Sequence, residues 1–174
     1  SNIYSTIELK NGANYNHFLN NHFTGVGDNN TIFIQSNNST DSNNVIRSNQ
    51  LENSLAGIWL SGSIVSPGTT IESNVFNNIR NPIFLQSQDA PVIKNNIIHS
   101  SSYNGTCVSC LNCINDYKIT GNKIVANYAN TGEGIYVSGS GAADKKALIA
   151  NNFVQIGGTD LSHGILLYAS NLNI

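Results

Sequence analysis

One short pattern, apolar-x-x-Asn-x-apolar, returns six times along this chain, and a fixed repeat constrains the fold more than any isolated motif. It reads Phe18-Leu-Asn-Asn21-His-Phe23, Ile46-Arg-Ser-Asn49-Gln-Leu51 and Ile71-Glu-Ser-Asn74-Val-Phe76. It continues as Ile93-Lys-Asn-Asn96-Ile-Ile98, Ile119-Thr-Gly-Asn122-Lys-Ile124 and Ile149-Ala-Asn-Asn152-Phe-Val154. The Asn positions lie 22 to 30 residues apart. A second pattern, a small residue followed by apolar-x-apolar, interleaves with the first. It reads Thr31-Ile-Phe-Ile34, Gly57-Ile-Trp-Leu60, Pro82-Ile-Phe-Leu85, Gly134-Ile-Tyr-Val137 and Gly164-Ile-Leu-Leu167. Thr6-Ile-Glu-Leu9 is an earlier copy and Thr106-Cys-Val-Ser109 a degraded one.

Each repeat thus holds three short strands: one before the Asn, one after it, and the apolar-x-apolar strand. They alternate with period two and are parted by Asn, Gly and Ser turns. A strand with two or three inward residues cannot bury its face alone. Stacked coils solve this, giving parallel sheets about 4.8 Å apart around one core. The fixed Asn suits a sharp bend, where its side-chain amide can bond along the axis to the next coil. The spacing therefore predicts an all-β fold: a single-stranded right-handed parallel β-helix of about six coils, one domain over 1–174, with a ladder of Asn21, Asn49, Asn74, Asn96, Asn122 and Asn152.

Composition narrows the partners. Charged residues are only 10% of the chain, while Asn supplies 30 positions. Asn favours turns and left-handed conformations over helix interiors. With a formal charge of −2 and no basic run, nothing recommends a nucleic-acid partner, and none is expected. No apolar run reaches the roughly 20 residues that span a bilayer. The sequons at Asn29, Asn37, Asn38 and Asn104 are expected by chance in so Asn-rich a chain. Cys107 is expected in the core, with Cys110 and Cys113 as free thiols or one local disulfide. A three-thiolate metal site lacks a fourth ligand. His17, His22 and His99 share no repeat position, so no metal site is expected. Ser138–Lys146 is expected as a loose turn.

The repeat resembles that of the pectate-lyase-like superfamily, on the pattern I-x-N-N-x-I followed by G-I-x-L over nearly the whole chain. That scaffold carries many activities, so the resemblance speaks for fold more than for chemistry. It implies a groove along the apolar-x-apolar sheet. Alternation turns the middle residue of that strand outward: Glu8, Phe33, Trp59, Phe84, Val108, Tyr136 and Leu166. Phe33, Trp59, Phe84 and Tyr136 are expected to form an aromatic binding stripe, and an exposed patch of this kind usually has a partner.

Ser162-His163-Gly164-Ile165 resembles the Gly-His-Gly-Ile of polygalacturonase-like glycoside hydrolases. Glu133 stands one coil earlier, in the place of their acidic pair. The resemblance implies Glu133 and His163 as catalytic candidates. Inverting hydrolysis, however, needs a second carboxylate, and the preceding coil offers Gly105 there. Lyase chemistry would need Ca²⁺-binding carboxylates on neighbouring coils, and none cluster; no other cofactor is implied.

Two readings follow. The first is a noncatalytic β-helical module of an extracellular, surface or fibre protein, binding a glycan or a protein partner along the stripe. The second is a polysaccharide hydrolase or lyase whose site is incomplete in this segment. The chain begins and ends within the repeat pattern, so the segment is expected to belong to a longer solenoid or to associate with other copies, end to end or side by side.

Overall fold

The computed structural model describes residues 3–27, 30–37, 40–140, 145–158 and 161–174. All regular elements among them are β-strands, and every strand pairing is parallel. They wind as a β-helix of about six coils with three strands per coil. One sheet stacks the pre-Asn strands His17–Leu19, Val45–Arg47, Thr70–Glu72, Val92–Lys94, Lys118–Thr120, Ala147–Ala150 and Leu172–Asn173. The strands after the Asn and the apolar-x-apolar strands form the other two walls. In Gln50–Ser61 and Val75–Gln86 these two walls run on without a break. The turn expected across Ser138–Lys146 lies at 141–144 outside the described residues, as do the first residues of the sequons at Asn29 and Asn38.

The bend before each ladder Asn has a single cause. Asn20, Ser48, Ser73, Asn95, Gly121 and Asn151 all adopt positive φ, between 56° and 66°. Asn and Gly tolerate this left-handed region and serine less so. The bend turns the following Asn inward. Each Oδ1 then accepts two hydrogen bonds from the Asn of the preceding coil. Asn74 Oδ1, for example, takes the backbone N–H of Asn49 at 2.9 Å and its Nδ2 at 3.0 Å. The same pair recurs at every step from Asn21 to Asn152. Each Nδ2 also reaches back to a strand carbonyl of the preceding coil, as Asn96 does to Ile71 at 3.0 Å. Asn74 and Asn96 are fully buried, so these bonds replace water rather than compete with it.

The core follows the ladder in columns. Ile46, Ile71, Ile93, Ile119 and Ile149 stack from the pre-Asn sheet, and Leu51, Phe76, Ile98 and Ile124 from the next wall, all essentially without exposure. Arg47, Glu72 and Lys94 share an outward column, where Lys94 and Glu72 meet at 3.3 Å. Such exposed pairs contribute little. Cys107, Cys110 and Cys113 are free thiols, all buried.

The third wall departs from the expected register in two coils. Ile34, not Ile32, pairs with Ile58, and Val108, not Cys107, pairs with Ile83. Phe33 and Val108, expected outside, are therefore inside, 1% and 0% exposed. A corner explains both. Between Ala56 and Ile58, and between the matching pairs of neighbouring coils, one residue turns inward at the edge of the wall. That column holds Phe33, Gly57, Pro82, Cys107, Gly134 and Gly164. A Cβ on Gly57 would lie 2.8 Å from the Phe76 ring and one on Gly134 2.4 Å from Val154. Phe33 fits because the facing coil has only Gly57, and its ring settles 5.7 Å from that of Phe23.

Candidate functional site

With the register set, the outward column of the third wall reads Glu8, Gln35, Trp59, Phe84, Ser109, Tyr136 and Leu166. Trp59 and Phe84 are neighbours and stack, with ring centroids 4.0 Å apart and planes 13° from parallel. Tyr136 lies two coils beyond Phe84 and meets Tyr168 edge-on at 6.1 Å. The gap in the stripe is Ser109. Two coil steps put about 9.6 Å between the backbones of Phe84 and Tyr136. A serine fills little of that space. The result is an open groove of about 440 Å³, with Trp59, Phe84 and Tyr136 as its aromatic walls and Ser109 between them. Ile83 and Leu111 complete its apolar lining.

One edge of the groove is polar. The column just before the corner reads Asn81, Thr106, Glu133 and His163 on successive coils. Thr106 binds both neighbours: its backbone N–H donates to Asn81 Oδ1 at 3.3 Å and its hydroxyl to Glu133 Oε2 at 2.7 Å. Asn81, Thr106 and Glu133 all line the groove. Glu133 is half-buried, and among the described residues no hydrogen bond reaches its Oε1. His163 is paired in register with Glu133, and its Nδ1 is buried with no hydrogen-bond partner among the described residues. No ion pair joins the two side chains.

The sequence placed Trp59, Phe84 and Tyr136 on one wall, and there they stand; Phe33 does not join them. Glu133 and His163 are brought side by side. The residue facing Glu133 from the preceding coil is Thr106, one position after the expected Gly105, and it too is no carboxylate. Asn81, Thr106 and Ser109 escaped sequence reasoning. Their signal was the frame: once Val108-Ser109-Cys110 is read as the apolar-x-apolar strand, Ser109 becomes the break in the stripe and Thr106 the neighbour of Glu133.

Metal-ligating groups are dispersed elsewhere. His22 meets Glu52 beyond the ladder, and Thr24 Oγ1 lies 3.1 Å from His22 Nε2. His99 stands in a different column, opposite Asn77 and Val125. Burial pushes the Cys107 thiol up to about 12, though Tyr128, 3.1 Å away, bonds to it. Cys110 is raised well above its ordinary value, first by its hydrogen bond to Cys113 and then by burial. Among the described residues no three His, Cys, Asp or Glu side chains gather to hold a metal ion, and no helix is long and apolar enough to cross a membrane.

No curated protein and no solved structure matches the chain. One family model does, over residues 1–173, and its description is "Periplasmic copper-binding protein (NosD)". The match spans nearly every coil of the β-helix just described, and the chain belongs to the NosD family.

Proposed function

We propose that this chain is a noncatalytic β-helical binding module, working in the periplasm or at the cell surface, that holds a saccharide in the groove between Phe84 and Tyr136. The carrying observation is the stacked Trp59–Phe84 pair bordering an open slot at Ser109. A pyranose ring has an apolar C–H face and a hydroxyl rim. The aromatic walls suit the face, and Asn81, Thr106, Ser109 and Glu133 supply donors and acceptors for the rim. An apolar groove with a few convergent polar groups is the usual form of a small-ligand site, and about 440 Å³ lies in the usual range. The polar column supports binding over hydrolysis. It offers one carboxylate, Glu133, where two-carboxylate hydrolysis needs a second across the bond.

Copper comes with the family's description, and the donor set of this chain does not fit a resident copper centre. Soft thiolates or grouped imidazoles would be needed. The described thiols are buried, with those of Cys107 and Cys110 held protonated, the described histidines lie apart, and the sequence has no methionine.

Titration of the protein with neutral oligosaccharides such as cellotetraose tests the reading. Saturable binding is expected, weakened about tenfold or more by Phe84→Ala, which removes one wall. Absence of binding across the neutral set, or binding indifferent to Phe84→Ala, overturns it.

A further inference from the structure

Resting on the saccharide reading above, we infer that the groove selects a cationic amino sugar, and that it discriminates against uronic acids. The argument is one of charge. Among the described residues lining the groove, Glu133 is the one acidic side chain, and no Lys, Arg or His lines it. Arg80, next to Asn81 in sequence, turns its guanidinium to the backbone and side-chain oxygens of Asn104. His163 stands one coil beyond Glu133 and makes no ion pair with it.

Glu133 is also positioned rather than free. The Thr106 hydroxyl holds Oε2 at 2.7 Å, and Asn81 in turn accepts from the Thr106 backbone. This short chain of bonds along the axis fixes the carboxylate at the groove edge. Oε1, without a protein hydrogen bond among the described residues, remains as the acceptor for a ligand. An ammonium group on a sugar stacked between Phe84 and Tyr136 would donate to it in a charge-assisted hydrogen bond. A uronate in the same place would set two carboxylates against each other with no cation between them. Charge complementarity of this sort governs which partner is accepted more than how tightly any partner binds.

Isothermal titration with three probes of comparable length tests this: a glucosamine tetrasaccharide, cellotetraose and a galacturonate tetrasaccharide. At about pH 6 and low ionic strength, the amino sugar is expected to bind about tenfold tighter than cellotetraose and the uronate about tenfold weaker. Glu133→Gln is expected to bring the three within about twofold of one another. If that variant does not fold, raising the salt concentration on the wild-type protein serves the same end, because screening should shrink the differences. Cellotetraose binding with no preference among the probes, or a preference that survives both treatments, overturns this inference and leaves the groove reading standing. Failure of all three probes to bind overturns the groove reading and this inference with it.

Discussion

Asn74→Ala is the most direct perturbation of what holds the coils together. The Asn74 side chain makes four hydrogen bonds in a site with no solvent exposure. Nδ2 donates to Ile46 O at 2.9 Å and to Asn96 Oδ1 at 3.1 Å. Oδ1 accepts the backbone N–H and the Nδ2 of Asn49. Truncation removes all four. Asn49 Nδ2 keeps Phe18 O at 2.8 Å, and Asn96 Oδ1 keeps the backbone N–H of Asn74. The buried N–H of Asn49 loses its acceptor. At about 1 kcal/mol net per bond and about 1–3 for an orphaned buried group, with incomplete additivity, the loss should reach about 3–5 kcal/mol. Asn21→Ala is the internal control. Asn21 is exposed, and its side chain gives the ladder only the 3.0 Å bond to Asn49 Oδ1; about 0.5–1 kcal/mol is expected there. Asn74→Asp separates bonding from packing, because it keeps the volume and one acceptor while removing both donors. Urea denaturation of the three variants is the assay. If Asn74→Ala falls within about 1 kcal/mol of Asn21→Ala, or if Asn74→Asp restores wild-type stability, hydrogen bonding along the ladder is not what secures the coils.

Three further outcomes are expected. Ser73 holds φ at 56° on the surface, so Ser73→Gly should stabilise the protein by up to about 1 kcal/mol, and a lower melting temperature would contradict the bend argument. Cys107 is raised from about 9 to about 12 by burial, so the folded chain keeps its proton where the unfolded chain loses it. Stability is then full below about pH 9 and falls above it, by about 1.4 kcal/mol per pH unit for this thiol. Urea midpoints at about pH 8 and about pH 10 should therefore drop further in wild type than in Cys107→Ala, and equal drops would refute the assignment. Ser109→Phe should complete the stripe from Trp59 to Tyr136 and close the groove. Cellotetraose binding should fall at least about tenfold with the fold retained, and unchanged binding would place the ligand elsewhere.

The sequence carried most of the fold because the ladder depends on residues that cannot be replaced without loss at their position. An inward Asn after a left-handed residue leaves a mark in every coil, from Asn20-Asn21 to Asn151-Asn152. The third wall was less legible where polar residues stand in for apolar ones. Ser36 occupies the column of Leu60 and Leu85, buried because its hydroxyl donates to Asp41 at 2.8 Å. Without that partner in view, Thr31-Ile-Phe-Ile34 looks like the better match, and Phe33 is turned the wrong way. The aromatic walls were readable from alternation within a strand. The polar edge was not, because Asn81, Thr106 and Glu133 become neighbours only across coils, 25 and 27 residues apart.

The ladder also has a direction, and this bears on how the chain is made. Each ladder Asn brings the acceptor that the preceding coil's Asn requires, and gives its own amide to a carbonyl already in place. A coil leaving the ribosome therefore docks on a finished surface and locks it, while offering fresh donors to the coil that follows. Synthesis and assembly run the same way along the axis. Since chains emerge and fold N-terminal part first, this one can close like a zipper as it is translated, with no need for its two ends to find each other.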